Sequence, residues 1–135
     1  PVVGGADLCV SIAHAGRGGG VVAAAVAPVA VGVDLEAIVP RRADLWRRML
    51  RPDEHALLDV LGGPTDATQT LLWSLKEAVL KGQRTGLRAG AQSVRLALGH
   101  ADGLPTSGVG AAWAEASGAW HLAWTRLATG SGGMW

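Results

Sequence analysis

The chain has 135 residues, enough for one compact domain with a modest core. Its 12 lysines and arginines against 11 aspartates and glutamates leave a net charge of +1, which argues against a general nucleic-acid or membrane surface. The single cysteine, Cys9, excludes a disulfide framework and a cysteine-built zinc site and fits a reducing compartment, so a cytoplasmic location is expected. No apolar run approaches the roughly 18 residues of a membrane helix, and no basic segment followed by an apolar one opens the chain, so a soluble protein is expected.

In chain order, GGGVVAAAVAPVAVGVDLEAI (18–38) reads as two strands, Val21 to Val26 and Val29 to Leu35, joined as a hairpin across Ala27-Pro28 because proline cannot donate to a central ladder. PRRADLWRRMLR gathers Arg41, Arg42, Arg47, Arg48 and Arg51 around Trp46 and Met49, as either a solvated amphipathic helix or a basic docking patch. RPDEHALLDVLGG has a helix start at Pro52-Asp53-Glu54 and a stop at Gly62-Gly63. ATQTLLWSLKEAVLKG is the strongest helical segment, with Thr68 or Thr70 as cap and Leu71, Leu72, Leu75, Ala78 and Val79 on one apolar face. Glu77 and Lys81 lie one turn apart on its other side beside Ser74, a narrow polar stripe with apolar walls that suggests a helix bordering a crevice. QSVRLAL, GAAWAEA and AWHLAWTRLA read as three strands, the last two a hairpin turning at Ser117-Gly118. Residues 130–135 read as a loose tail. The expected architecture is therefore a single α+β domain over residues 1–135, an antiparallel sheet packed with helices.

Two features carry chemistry. In the strand reading, Asp34 and Glu36 point to one face with Gly32, which leaves room there for a ligand. Paired carboxylates raise each other's pKa unless a cation neutralises them, and their oxygens suit Mg²⁺; an edge strand entering solvent accounts for the spacing equally well. Glu77 and Lys81 likewise fit a surface ion pair as well as a site. His14 is one histidine at a small-residue strand end, where a structural or exposed role is commoner than a ligand role.

VGVDLE (31–36) followed by WSLKEAVLKG (73–82) resembles the signature of the 4'-phosphopantetheinyl transferase superfamily, with Trp73, Ser74, Lys76, Glu77, Ala78 and Lys81 in register. VSIAHAG (10–16) is similar to the family's upstream histidine segment, and TGL (85–87) to the loop after its helix. The resemblance implies Mg²⁺-dependent transfer of phosphopantetheine from coenzyme A to a serine of an acyl or peptidyl carrier protein, releasing adenosine 3',5'-bisphosphate, as in the holo-acyl-carrier-protein synthases. It implies Asp34, Glu36 and Glu77 as metal ligands, Glu77 as acceptor of the serine proton, and Lys81 facing the pyrophosphate with Lys76 as a further phosphate contact. His14 corresponds to a histidine on the nucleotide 3'-phosphate, and Arg17 beside it adds charge. The Arg41–Arg51 stretch becomes the docking face for a carrier protein, which is usually acidic around its serine.

The motifs match the second lobe of the two-lobed, surfactin-type members, whereas the length matches the one-unit type that builds its site in a homotrimer. The chain is accordingly expected either to trimerise or to lack a first lobe. If the lobe is lacking, a non-catalytic carrier-protein-binding or structural domain is the alternative.

Overall fold

Alternating small and β-branched residues form two strands early in the chain, of which a computed structural model describes residues 7–16, 20–85, 90–99, 103–129 and 132–135. Strands β1 (Cys9–Ala15) and β2 (Val21–Ala27) pair antiparallel, with Ser11 opposite Ala25 and His14 opposite Val22. The expected hairpin between β2 and residues 29–35 is therefore replaced by a hairpin between β2 and β1. Residues 30–36 lie outside any strand, and their partners lie elsewhere: Val33 N donates to Ser11 Oγ at 3.0 Å, and Glu36 exchanges two backbone hydrogen bonds with Trp135, at 2.7 and 2.9 Å.

The arginine-rich stretch forms α1 (Ala43–Met49), and a 3-10 turn at Pro52–Glu54 leads into α2 (His55–Val60). The strongest helical segment becomes α3 (Asp66–Gly82). It is capped by Thr65, whose Oγ1 accepts from Thr68 N at 3.2 Å, because Thr68 and Thr70 already lie within the helix and are buried. Strands β3 (Val94–Leu98), β4 (Ser107–Ala114) and β5 (Gly118–Thr125) form one antiparallel sheet in that order, β4 and β5 as the expected hairpin. Leu71, Leu72, Leu75, Val79 and Leu80 of α3 share a core with Val94, Leu96, Ala112, Ala114 and Leu122 from the sheet. The architecture is α+β with antiparallel sheets, as the residue pattern predicts.

The C-terminal residues are not the expected tail. Strand β6 (Leu127–Thr129) pairs with β7 (Gly132–Met134), Met134 packs on Ala13 and Leu35, and Trp135 is buried with its indole N–H donating to Ala67 O at 2.8 Å. The glycines that made this segment read as loose are outweighed by two large apolar side chains that find core positions.

Candidate active site

Gly32 positions the acidic segment. A Cβ at residue 32 would lie 1.8 Å from the Ala78 carbonyl oxygen and 2.6 Å from Gly82 N, so a glycine is required for the segment to press this closely on α3. The space expected for a ligand is thus filled by helix backbone. Two residues further on, Asp34 meets the last turns of the helix: Lys81 Nζ donates to Asp34 Oδ1 at 2.6 Å, with Asp34 almost fully buried and Lys81 about a third exposed.

Glu77, one turn before Lys81, is half-buried. Burial raises its carboxyl above the ordinary range, the Asp34 charge adds to the rise, Lys81 opposes it, and Glu36 adds a little more. Asp34 Oδ2 and Glu77 Oε1 are both buried without a hydrogen-bond partner. Two such oxygens within each other's field are costly, and a hard cation is the group that relieves both.

Glu36 lies near enough to influence Glu77 but is held by other groups. Trp73 Nε1 donates to its Oε1 at 3.1 Å and Arg41 Nη2 to its Oε2 at 2.5 Å. Among the described residues no group of three or more His, Cys, Asp or Glu is arranged to hold a metal ion. Glu36 is therefore engaged by an arginine and an indole, while Asp34 and Glu77 each keep one buried oxygen without a hydrogen-bond partner.

Lys76 is the clearest correction. It is fully buried and donates to Glu54 Oε2 at 2.5 Å, Met49 O at 2.9 Å and Ala91 O at 3.2 Å, so all three ammonium donors are taken inside the protein. Burial lowers its pKa, and Glu54 opposes that shift. It has no donor left for a phosphate. Glu54, whose place in Pro52-Asp53-Glu54 reads only as a helix start, is the buried partner that holds Lys76 in a structural role. Its Oε2 also accepts from Arg51 N at 2.8 Å and its Oε1 from Leu96 N at 3.2 Å, which ties the start of the 3-10 turn, α3 and β3 to one buried carboxylate.

His14 does not join the acidic pair. Ser11 and Ala13 face inward from β1, whereas His14 alternates to the exposed face with Ile12. The arginines divide as well. Arg42 and Arg48 pair with Asp44 on exposed α1, Arg47 is exposed, and Arg51 folds back onto Asp53 and Gln92 O. Trp46 is buried against Trp73, so α1 braces the helix that bears Glu77. A cavity of about 230 Å³ reaches Asp34 but not Glu77 or Lys81, and is lined in part by Gly32, Ser74, Leu75, Trp124 and Trp135. Arg17, residues 86–87 of the loop motif and His100 lie outside the described residues.

A family model described as the 4'-phosphopantetheinyl transferase superfamily matches residues 30–125 of the 135-residue chain, a span that contains Asp34, Glu36, Glu77 and Lys81. The chain belongs to that superfamily. Membership supports a transferase of the phosphopantetheinyl kind, with coenzyme A as donor and carrier proteins as partners in general. The superfamily match begins after β2, so His14 lies outside it. No curated protein and no solved structure matches the chain. Among the described residues no helix is long and apolar enough to cross a membrane.

Proposed function

We propose that the chain transfers 4'-phosphopantetheine from coenzyme A to a serine of an apo acyl or peptidyl carrier protein in a Mg²⁺-dependent reaction, giving holo carrier protein and adenosine 3',5'-bisphosphate. The supporting observation is the pair of unpartnered buried oxygens, Asp34 Oδ2 and Glu77 Oε1, beside Lys81 and within the residues the superfamily model matches. Asp34 and Glu77 would hold Mg²⁺, which when bound offsets negative charge on the pyrophosphate. Glu77 accepts the proton of the serine hydroxyl. The serine oxygen bonds to the phosphorus that carries the pantetheine as the bond to the leaving bisphosphate breaks. Lys81 keeps two donors beyond its bond to Asp34 and, being partly exposed, offers them to the leaving phosphate. Arg41 and Trp73 fix Glu36 so that its charge stays beside the pair. The exposed Arg42, Arg47 and Arg48 of α1 form the docking face for an acidic carrier protein, in a cytoplasmic setting.

His14 faces away from the pair, so its proposed contact with the nucleotide comes from a neighbouring subunit of a homotrimer or against a separate lobe. The same observation, with only two carboxylates fitted to a cation, favours one second reading: a carrier-protein-binding domain that does not turn over. The test is to incubate the chain with coenzyme A, Mg²⁺ and an apo carrier protein and look for added phosphopantetheine by mass spectrometry. Transfer by the wild-type chain, abolished in Asp34→Ala and Glu77→Ala variants that remain folded, is the expected result. Bound coenzyme A without transfer at any protein concentration would select the second reading.

A further inference from the structure

Helix α3 ends where two neighbours leave no room for a side chain. A Cβ on Gly82, its last residue, would lie 2.6 Å from Trp120 Cη2, 2.7 Å from Trp120 Cζ3 and 3.2 Å from Gly32 N. The far edge of the indole therefore rests directly on the Gly82 backbone. Gly32 makes the reciprocal approach, since a Cβ there would lie 2.6 Å from Gly82 N. Indole edge, helix end and acidic segment thus meet at one position, and close-packed groups transmit the displacement of one to the others.

The half-buried indole is itself anchored. Trp120 Nε1 donates to Ser117 Oγ at 2.7 Å, and Gln83 Nε2 donates to the same oxygen at 2.7 Å. Ser117 lies in the turn between β4 and β5, and Gln83 is the C-cap of α3. One hydroxyl in that turn therefore holds both the ring that rests on Gly82 and the residue that follows it. The Trp120 ring also packs on the core that α3 shares with the sheet.

Lys81 hangs on this helix end. It directly precedes Gly82, and its Nζ donates to Asp34 Oδ1 at 2.6 Å, while Asp34 stands two residues beyond Gly32. The ammonium and the carboxylate that it holds belong to the two backbones that meet at the indole. A misplacement of about 1 Å in a reacting group can cost on the order of 100-fold in rate.

We propose that Trp120 is a positioning residue: resting on Gly82, it holds the end of α3 against the acidic segment, and so keeps Lys81 on Asp34 and aimed at the leaving phosphate. The aim at the phosphate rests on the transferase reading, whereas the hold on Lys81 does not.

The chain has two lysines, and Lys76 is fully buried with its donors taken, so a water-soluble acylating reagent at fixed pH reports on Lys81, located by mass spectrometry. Three variants are compared with the wild type: Trp120→Phe, whose shorter ring falls short of Gly82; Gly82→Ala, whose methyl pushes the indole away; and the double variant, in which the methyl fills the space the ring vacates. Alanine also favours the helix, so melting alone does not discriminate, and rates are taken well below each melting midpoint. Each single variant is expected to raise Lys81 acylation about threefold and to lower kcat for transfer about tenfold with little change in KM for the carrier protein. The double variant should recover most of both. Single variants that melt lower but keep wild-type acylation and transfer make Trp120 a core residue only and overturn the inference. A double variant no better than Trp120→Phe overturns the route through Gly82. Raised acylation with unchanged transfer overturns the aim at the leaving phosphate. A wild-type chain without transfer overturns the transferase reading, while acylation of the variants still decides the hold on Lys81.

Discussion

Replacing Lys76 with methionine separates two roles that the same lysine was open to. Methionine keeps much of the unbranched length but removes the ammonium, leaving Glu54 buried with two backbone donors, Arg51 N and Leu96 N, and no cation. The carbonyls of Met49 and Ala91 lose a donor as well. Removing one partner of a buried ion pair typically costs about 3–5 kcal/mol. A domain of this size has roughly 5–15 kcal/mol of total stability, so the single variant should lose about a fifth or more of it. Urea unfolding followed by tryptophan fluorescence reads this directly, since Trp46 of α1 packs against Trp73 of α3. The double variant Lys76→Met with Glu54→Leu removes both charges and should recover most of the loss, because a buried pair is often no better than apolar residues of similar volume. A Lys76→Met chain with near wild-type stability but weakened coenzyme A binding would refute this reasoning and restore the phosphate contact read from the motif.

Two further outcomes follow from the geometry of the acidic pair. Glu77→Gln should lower transfer by about 100-fold or more if Glu77 takes the serine proton, and in the metal-free chain burial and Asp34 hold its carboxyl above the ordinary glutamate range. An acid with a raised folded pKa adds stability below its unfolded value and loses it as pH rises through the folded one. Thermal melts should therefore find Glu77→Gln more stable than wild type at pH 7, with the difference shrinking toward pH 4; a less stable variant at pH 7 would refute the sign. Gly32→Ala should destabilise by about 1–3 kcal/mol and reduce transfer together, since the added Cβ collides with Ala78 O and displaces Asp34 from Lys81. Denaturant midpoints and initial rates check this, and a variant unchanged in both would show that the close approach is dispensable.

The acidic segment and the helix were legible because their chemistry is local. Glu77 and Lys81 lie one turn apart on any helix, and the apolar face of α3 is written in Leu71, Leu72, Leu75 and Val79. What the residue pattern did not carry was the choice of partner. Nothing in Val21–Ala27 distinguishes pairing with β1 from pairing with residues 29–35; the deciding contact is Gly32 against Ala78, 46 residues away (78 − 32). Lys76 was misread for a related reason, since the motif resemblance implied a phosphate contact while its true partner, Glu54, comes from a separate turn. Trp135 was hidden by the glycines before it, although a tryptophan that reaches the Ala67 carbonyl outweighs a flexible approach.

The β1–β2 hairpin connects these results. Its inner face serves the acidic pair: Ser11 holds the backbone next to Asp34, and Ala13 packs on Leu35. Its outer face carries His14 among Ile12, Val22 and Val26, which are 62%, 68% and 58% exposed. A strand presents alternate residues to opposite sides, so the hairpin that fixes Asp34 cannot also turn His14 toward it without a one-residue shift in register that would expose Ser11 and Ala13. Within one chain the two are mutually exclusive. Any contribution of His14 to the proposed transfer therefore requires a second surface over the outer face, and an exposed row of β-branched side chains is the kind of patch such a surface covers. The arrangement makes assembly a condition for the histidine and not for the Asp34–Glu77–Lys81 group, so the chemistry at the pair and the grip on the nucleotide are separable properties of this fold.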